Sequence, residues 1–271
     1  MHMFDEVRPH GPRGGSALNT AESRARAIAR AQVYAFLALG FSRPDGAQCA
    51  ALKRECDLLP DSLQVLGDRS SRRAASRLRR SIASLTAAAL ENAHVQCFGQ
   101  AVSKDTPPYE AEYGQAHIFQ KTQTLADIAG FYRAFGLETA AGSHERVDHV
   151  SVELEFMHFL CIKEAHALEN RHPVSRIAVC REAQSKFLLE HLCRWAPGLA
   201  RRLRARAGGT PYAGLSELLA SFLAGESRAL GLEPAEIAGP DVVEQLAQGS
   251  HTEAGTERSG CEAACGFGRT L

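Results

Sequence analysis

The sequence predicts an all-α protein: a single multi-helix bundle with a long buried central helix and a flexible C-terminal tail. Three observations carry this. Glycine and proline cut the chain into segments of helical length, and no strand-like alternation of apolar and polar residues appears between them. Residues 70–93 are rich in Ala and Leu, which favour helix. Twelve of the nineteen residues over 150–168 are apolar and cover most of a helical circumference, so that helix belongs in the centre of a bundle.

The elements follow in order. Asn19 and Thr20 cap a helix to about Leu39, with Gly40 and Pro44 as stop signals. Asp45 caps a second helix that ends before Pro60, and one long helix covers 70–93. Over 97–115 the helical pattern breaks at Gly99, Pro107, Pro108 and Gly114. Helix resumes near Ile118 and stops at Gly136, and a loop covers 137–147. Asp148 caps the central helix, which Pro173 ends. A helix over 175–195 stops at Pro197 and Gly198, and a short basic helix covers 200–207. Thr210 and Pro211 open a last helix that Gly231 closes. Beyond it only 241–248 has an amphipathic pattern, and 249–271 reads as a mobile tail. The expected organisation is a disordered 1–18, a helical domain over 19–232 and a mostly flexible 233–271 carrying Cys261 and Cys265. The loop 137–147 is a candidate hinge, which leaves a monomer and a helix-swapped dimer both open.

Composition excludes several classes. With 271 residues, 45% hydrophobic and 23% charged, the chain is that of an ordinary globular protein. Thirty-one basic residues balance thirty-one acidic ones, so nucleic acid is not an expected partner of the whole surface. No run nears the about 18 apolar residues of a membrane span, so no membrane insertion is expected. Residues 1–18 lack an apolar core and a twin arginine, so they do not read as an export signal; the expected location is cytoplasmic. Eight cysteines scattered through such a chain read as reduced thiols.

No phosphate-binding glycine loop, nucleophile elbow or zinc-protease motif occurs, so no catalytic residue is assigned. The central helix carries Asp148, Glu153, Glu155, His158, Glu164 and His166 among its apolar residues, and buried carboxylates need partners or a function. Glu164 and His166 are expected to pair with neighbouring arginines or to reach solvent. Three Glu-x-x-His spacings, Glu91/His94, Glu155/His158 and Glu169/His172, keep a ferritin-like di-iron bundle open as an alternative. Cys261 and Cys265 offer half of a thiolate metal site. Six arginines over 69–80 form either a solvated helix face or a site for an anionic partner. The stretch Pro107-Pro108-Tyr109-Glu110-Ala111-Glu112-Tyr113-Gly114 puts two rings and two acids on a stiff loop. Folded towards Asp148 and His149, it makes an acidic, aromatic groove suited to a peptide bearing arginines. An ordinary interhelical loop pinned by two tyrosines fits the spacing equally well.

At these residues the chain resembles the TorD/DmsD/NarJ-type redox-enzyme maturation chaperones. Besides that loop the matching motifs are Leu125-Ala126-Asp127, Gly130-Phe131-Tyr132, Phe135-Gly136-Leu137, Glu145-Arg146-Val147-Asp148-His149 and Glu153-Leu154-Glu155-Phe156-Met157. Their order and separations match over about 20–230, and their wording is closest to the chaperones of the dimethylsulfide, selenate, chlorate and ethylbenzene dehydrogenase/reductase group. The resemblance implies a non-catalytic, all-helical cytosolic chaperone. Its partner would be the apo catalytic subunit of a molybdoenzyme of the DMSO-reductase family, bound at a twin-arginine signal peptide while the molybdenum cofactor is inserted. No cofactor would be held tightly, with at most a transient contact to the molybdenum cofactor or its pocket in the apoenzyme. The expected peptide-binding residues are Tyr109, Glu110, Tyr113, Asp148, His149, Glu153 and Glu155.

Overall fold

The computed structural model describes residues 13–99, 103–114, 118–138 and 145–240. They form α1 (Arg13–Phe41), α2 (Gln48–Leu66), α3 (Arg69–Ile82), α4 (Ala87–Phe98), α5 (Ile118–Ala134), α6 (Val150–Glu169), α7 (Val174–Phe187), α8 (Cys193–Arg206) and α9 (Pro211–Leu230). A 3₁₀ turn spans Glu110–Glu112, and a π turn, Leu188–Leu192, joins α7 to α8 without a break. No strand occurs among the described residues; Tyr109 and His149 form an isolated antiparallel bridge. The centre of the candidate hinge, 139–144, and the tail 241–271 with Cys261 and Cys265 lie outside the described residues.

Helix α6 is the central element that its all-round apolar character predicts. It lies along α1 and against α7, and Val150, Leu154, Met157, Leu160 and Cys161 are fully buried. Helix α9 closes the other side, packed on α3 and α8. Trp195, Tyr34, Tyr212, Phe36, Phe41 and Phe187 fill the space between. Gly40 lies within α1 and does not stop it: a Cβ there would meet a Leu215 methyl of α9 at 2.6 Å, so the glycine lets α9 come close. The six described cysteines are buried and free, and burial holds their reactive partners away.

Several boundaries differ from the sequence expectation, each for a physical reason. Helix α1 begins at Arg13, ahead of Asn19 and Thr20. Asp45 does accept from Ala47 N and Gln48 N at the start of α2. Pro60 does not end that helix, because Cys56, Leu59 and Leu63 are buried along one stripe on both sides of an exposed proline. That burial outweighs the roughly 3 kcal/mol that an interior proline costs. The helix expected over 70–93 is two: Thr86 turns extended and caps α4 through Ala89 N. Pro197 and Gly198 do not stop the helix that holds them. The π turn just upstream widens the ladder where proline removes a donor, and α8 runs on to Arg206. The first residues of the expected tail make contacts with the bundle. Residues 232–239 form an extended strap in which Ile237 N donates to Arg194 O (2.9 Å), Gly114 N donates to Ala238 O (2.8 Å), and Leu232 and Ile237 pack on the core.

The core also holds a paired polar cluster. Arg30 Nε donates to both oxygens of Glu226 (2.9 and 2.8 Å), which also accepts from Tyr34 Oη (2.8 Å). Glu164 accepts from Arg181 Nε (2.6 Å) and Gln184 Nε2 (3.0 Å), the cross-helix pairing expected of it. His166 reaches solvent, the other outcome expected, and meets Asn170 one turn on. Removing one partner of such a pair strands the other charge in the core. Glu226→Ala is therefore expected to lower unfolding stability by roughly 3–5 kcal/mol, read by urea titration; a loss below about 1 kcal/mol would show that Arg30 finds water instead.

Candidate functional site

The site is built where the proline-stiffened loop meets the start of α6. Glu110 N donates to Asp148 O (3.0 Å) and Val150 N donates to Pro108 O (2.9 Å), closing the Tyr109–His149 bridge. Extended backbone sends successive side chains to opposite sides. Tyr109 and His149 therefore take one side, where their rings meet edge to face at 5.1 Å, and Glu110 and Asp148 take the other.

Asp148 does not cap α6, as the sequence suggested. Its carboxylate faces the loop and accepts from Ala111 N (3.0 Å) and from Arg146 Nε and Nη2 (2.9 and 2.7 Å). His149 is the cap: its Nδ1 accepts from Ser151 N at 3.2 Å. That places the ring proton on Nε2, which lies 3.8 Å from Glu145 Oε2. Burial drives the His149 pKa down to about 4, so the ring is neutral at physiological pH and does not tune Asp148 by charge. Arg146 also reaches Glu112 (3.2 Å), which pairs with Lys121 of α5 (2.6 Å).

Behind the loop lies a layer of buried acids. Glu153 is fully buried, and its Oε2 accepts from Trp195 Nε1 (3.1 Å). Burial first, then the neighbouring Glu110, raises the Glu153 pKa well above the carboxylate range, which favours the protonated acid. Both Glu110 oxygens lie 3.2 Å from His191 Nδ1, which the π turn points inward. Tyr113 is buried too: its Oη donates to Pro107 O (3.2 Å) and its ring leans on Trp195. Tyr132 Oη donates to Val147 O (2.9 Å), and Phe131 meets His191 edge to face, so the Gly130-Phe131-Tyr132 motif braces the same layer.

The expected groove lining is thus divided. Glu110, Tyr113, Asp148 and Glu153 face inward and hold the loop, and so do not line a common surface with Tyr109 and His149. Glu155 is exposed on α6, apart from the loop. Tyr109 and His149 do face outward, into a cavity of about 690 Å³ whose walls include Glu91, His94 and Glu145. Val95, Phe98, Pro44 and Pro108 add apolar surface, and Arg43 is the one arginine among the described wall residues. Tyr109 Oη donates to Glu145 (3.2 Å), and burial with that carboxylate raises the phenol to about 12. The Arg146 guanidinium lies 4.5 Å from the Tyr109 ring centroid. Burial, then Arg43, lowers the His94 pKa, leaving two carboxylates and one guanidinium as the charged groups among the described wall residues.

Sequence reasoning missed Glu91, His94 and Glu145 as members of this wall. The first two stood out only as a metal-ligand spacing; the third lies within a quoted motif but carried no role. The three Glu-x-x-His pairs serve separate ends: His158 bonds Ala31 O, Glu169 pairs with Arg24, and Glu91 and His94 line the cavity. Among the described residues no three His, Cys, Asp or Glu side chains lie close enough to hold a metal ion.

Residues 67–201 match the model of the family described as "Nitrate reductase delta subunit". The chain is 30% identical over 208 residues to the perchlorate reductase assembly chaperone protein of Dechloromonas aromatica (strain RCB), spanning 73% of this chain and 88% of that one. It is 30% identical over 110 residues to the chlorate reductase assembly chaperone protein of Ideonella dechloratans (41% and 54% of the two chains). Over 81 residues it is 33% identical to the selenate reductase assembly chaperone protein of Thauera selenatis (30% and 40%).

The buried acid pair predicts a pH dependence. A carboxyl raised in the folded state contributes its full stability below the unfolded value of 4.5 and loses it as pH rises towards the folded one. Unfolding then releases a proton, and stability falls with pH. Glu153→Gln keeps the shape of the protonated acid and removes that slope. The melting temperature of the variant relative to wild type should rise between about pH 5 and 8; parallel profiles would show that Glu153 is ionised in the fold.

Proposed function

The chain belongs to the nitrate reductase delta subunit family of reductase assembly chaperones, and from that premise we propose that its client is the apo catalytic subunit of a DMSO-reductase-family molybdoenzyme, bound at a twin-arginine leader peptide. The chain is an assembly chaperone for molybdoenzyme maturation and not a catalyst. Holding the leader keeps the unfinished subunit from export until the molybdenum cofactor is inserted. In this reading the chaperone holds no cofactor tightly and meets the molybdenum cofactor only in passing, through the client. No helix among the described residues is long and apolar enough to cross a membrane.

The cavity beside Tyr109 carries the proposal. A twin-arginine leader presents two adjacent guanidinium groups followed by an apolar run. Glu91 and Glu145 supply carboxylates for the first, and Val95, Phe98 and the two prolines supply apolar surface for the second. Tyr109 and His149 contact the peptide; Glu110, Asp148 and Glu153 position the loop that presents them. Tyr113 braces that loop from below. Release must follow, so affinity belongs in the micromolar range, about 8 kcal/mol.

The test is calorimetric titration of a synthetic twin-arginine leader against wild type, Glu91→Gln and Glu145→Gln. Each charge-assisted contact is worth about 1.5–3 kcal/mol, so each variant should bind roughly tenfold or more weakly. Both carboxylates are outside the core, and melting temperatures should stay near wild type. Unchanged affinity in both variants would remove the cavity from the binding surface.

A further inference from the structure

The arginine run on α3 takes no part in the site above. Its inner face is closed by Ser71, Ala74, Ala75, Leu78 and Ile82, all buried. On the opposite face Arg69, Arg72, Arg73, Ser76, Arg77 and Arg80 line one shallow depression of about 460 Å³. At 1.5 Å per residue that row is about 16 Å long. Arg77 is tied to Glu217 of α9, whereas Arg69, Arg72, Arg73 and Arg80 form no ion pair among the described residues.

Arg77 is used by its pair with Glu217, and Arg80 lies in the last turn, where a cation suits the helix dipole; the fold makes no such use of Arg69, Arg72 and Arg73. The first turn of α3 holds no acid, and cations there oppose the helix dipole. Asp68 is the one acid at this end, where it caps Ser70 N and accepts from the Ser70 and Ser71 hydroxyls. Like charges three and four residues apart add further repulsion. Fold stability alone would favour neutral or acidic residues at 69, 72 and 73.

We propose that the outer face of α3 is a docking surface for a short acidic polypeptide segment on a partner protein, one presenting several carboxylates along about 16 Å. The residue type supports this: the guanidinium fork takes carboxylates in pairs, and the row contains no lysine. The surroundings select a short segment over an extended polyanion. The chain has no net charge, and Glu55, Asp57 and Asp61 are exposed on α2, which packs beside α3. Carboxylates on the neighbouring helix disfavour an extended polyanion more than a segment no longer than the row. The row also lacks the aromatic side chains that stack bases or anchor at a lipid interface. The surface is separate from the leader cavity, so this proposal stands whether or not that reading does.

Fluorescence anisotropy tests it with a labelled helical peptide of about 14 residues carrying glutamates along one face. Its lysine counterpart, an oligothymidylate, and phosphatidylcholine vesicles with and without phosphatidylglycerol serve as comparisons. The acidic peptide should bind wild type, more weakly as salt is raised. Arg72→Gln/Arg73→Gln should lose roughly tenfold or more in affinity. Circular dichroism melting should be unchanged or higher, since both side chains point to solvent. Absent peptide binding, or binding that the double variant retains, would overturn the proposal. So would equal or tighter binding of the oligonucleotide or the anionic vesicles, which would assign the row to a polyanion surface.

Discussion

A buried carboxylate, Asp148, determines where the candidate site stands. Fully excluded from solvent, it would be costly without partners, and the fold supplies three donors: two from Arg146 and the Ala111 amide. The amide belongs to a loop some forty positions back in the chain, so satisfying the charge ties that loop to the start of α6. Once they are tied, the period-two alternation of extended backbone settles the rest. Glu110 and Asp148 turn inward together, and Tyr109 and His149 turn outward together. The outward pair becomes a wall of the cavity because the inward pair is held.

The inward side raises an energetic problem of its own. Glu110, Asp148 and Glu153 are three acids within one buried layer, faced by Arg146, His191 and Trp195. Three negative charges there would repel strongly at low dielectric. Keeping Glu153 protonated removes one of them. The π turn contributes by aiming His191 at Glu110. An irregular helix at this position agrees with the general finding that π turns gather at functional sites.

Much of this was legible in the residues. The all-round apolar character of 150–168 placed α6 in the centre, and Thr210-Pro211 with Gly231 bounded α9. The loop and the Asp-His pair were singled out together, and the structure joins them through the Tyr109–His149 bridge. Their orientation was not, because a sequence does not show which of two adjacent residues turns inward; that depends on Ala111 and Arg146 meeting Asp148 in space. Helix ends were misjudged where burial overrode a local stop signal, as at Pro60, or where a π turn absorbed one, as at Pro197. Glu91 stood out only for its spacing to His94, because α4 brings it to the cavity by packing, which no local spacing records.

The central claim, that Asp148 holds the loop in register with α6, is tested most directly by amide hydrogen exchange on wild type and Asp148→Asn. Asn keeps the size of the side chain but loses the charge that Arg146 and the Ala111 amide share. The account predicts faster exchange at Glu110, Ala111 and Val150, with protection in the middle of α1 and α6 unchanged. Unchanged protection at those three amides would contradict it, because the bridge would then stand without the carboxylate.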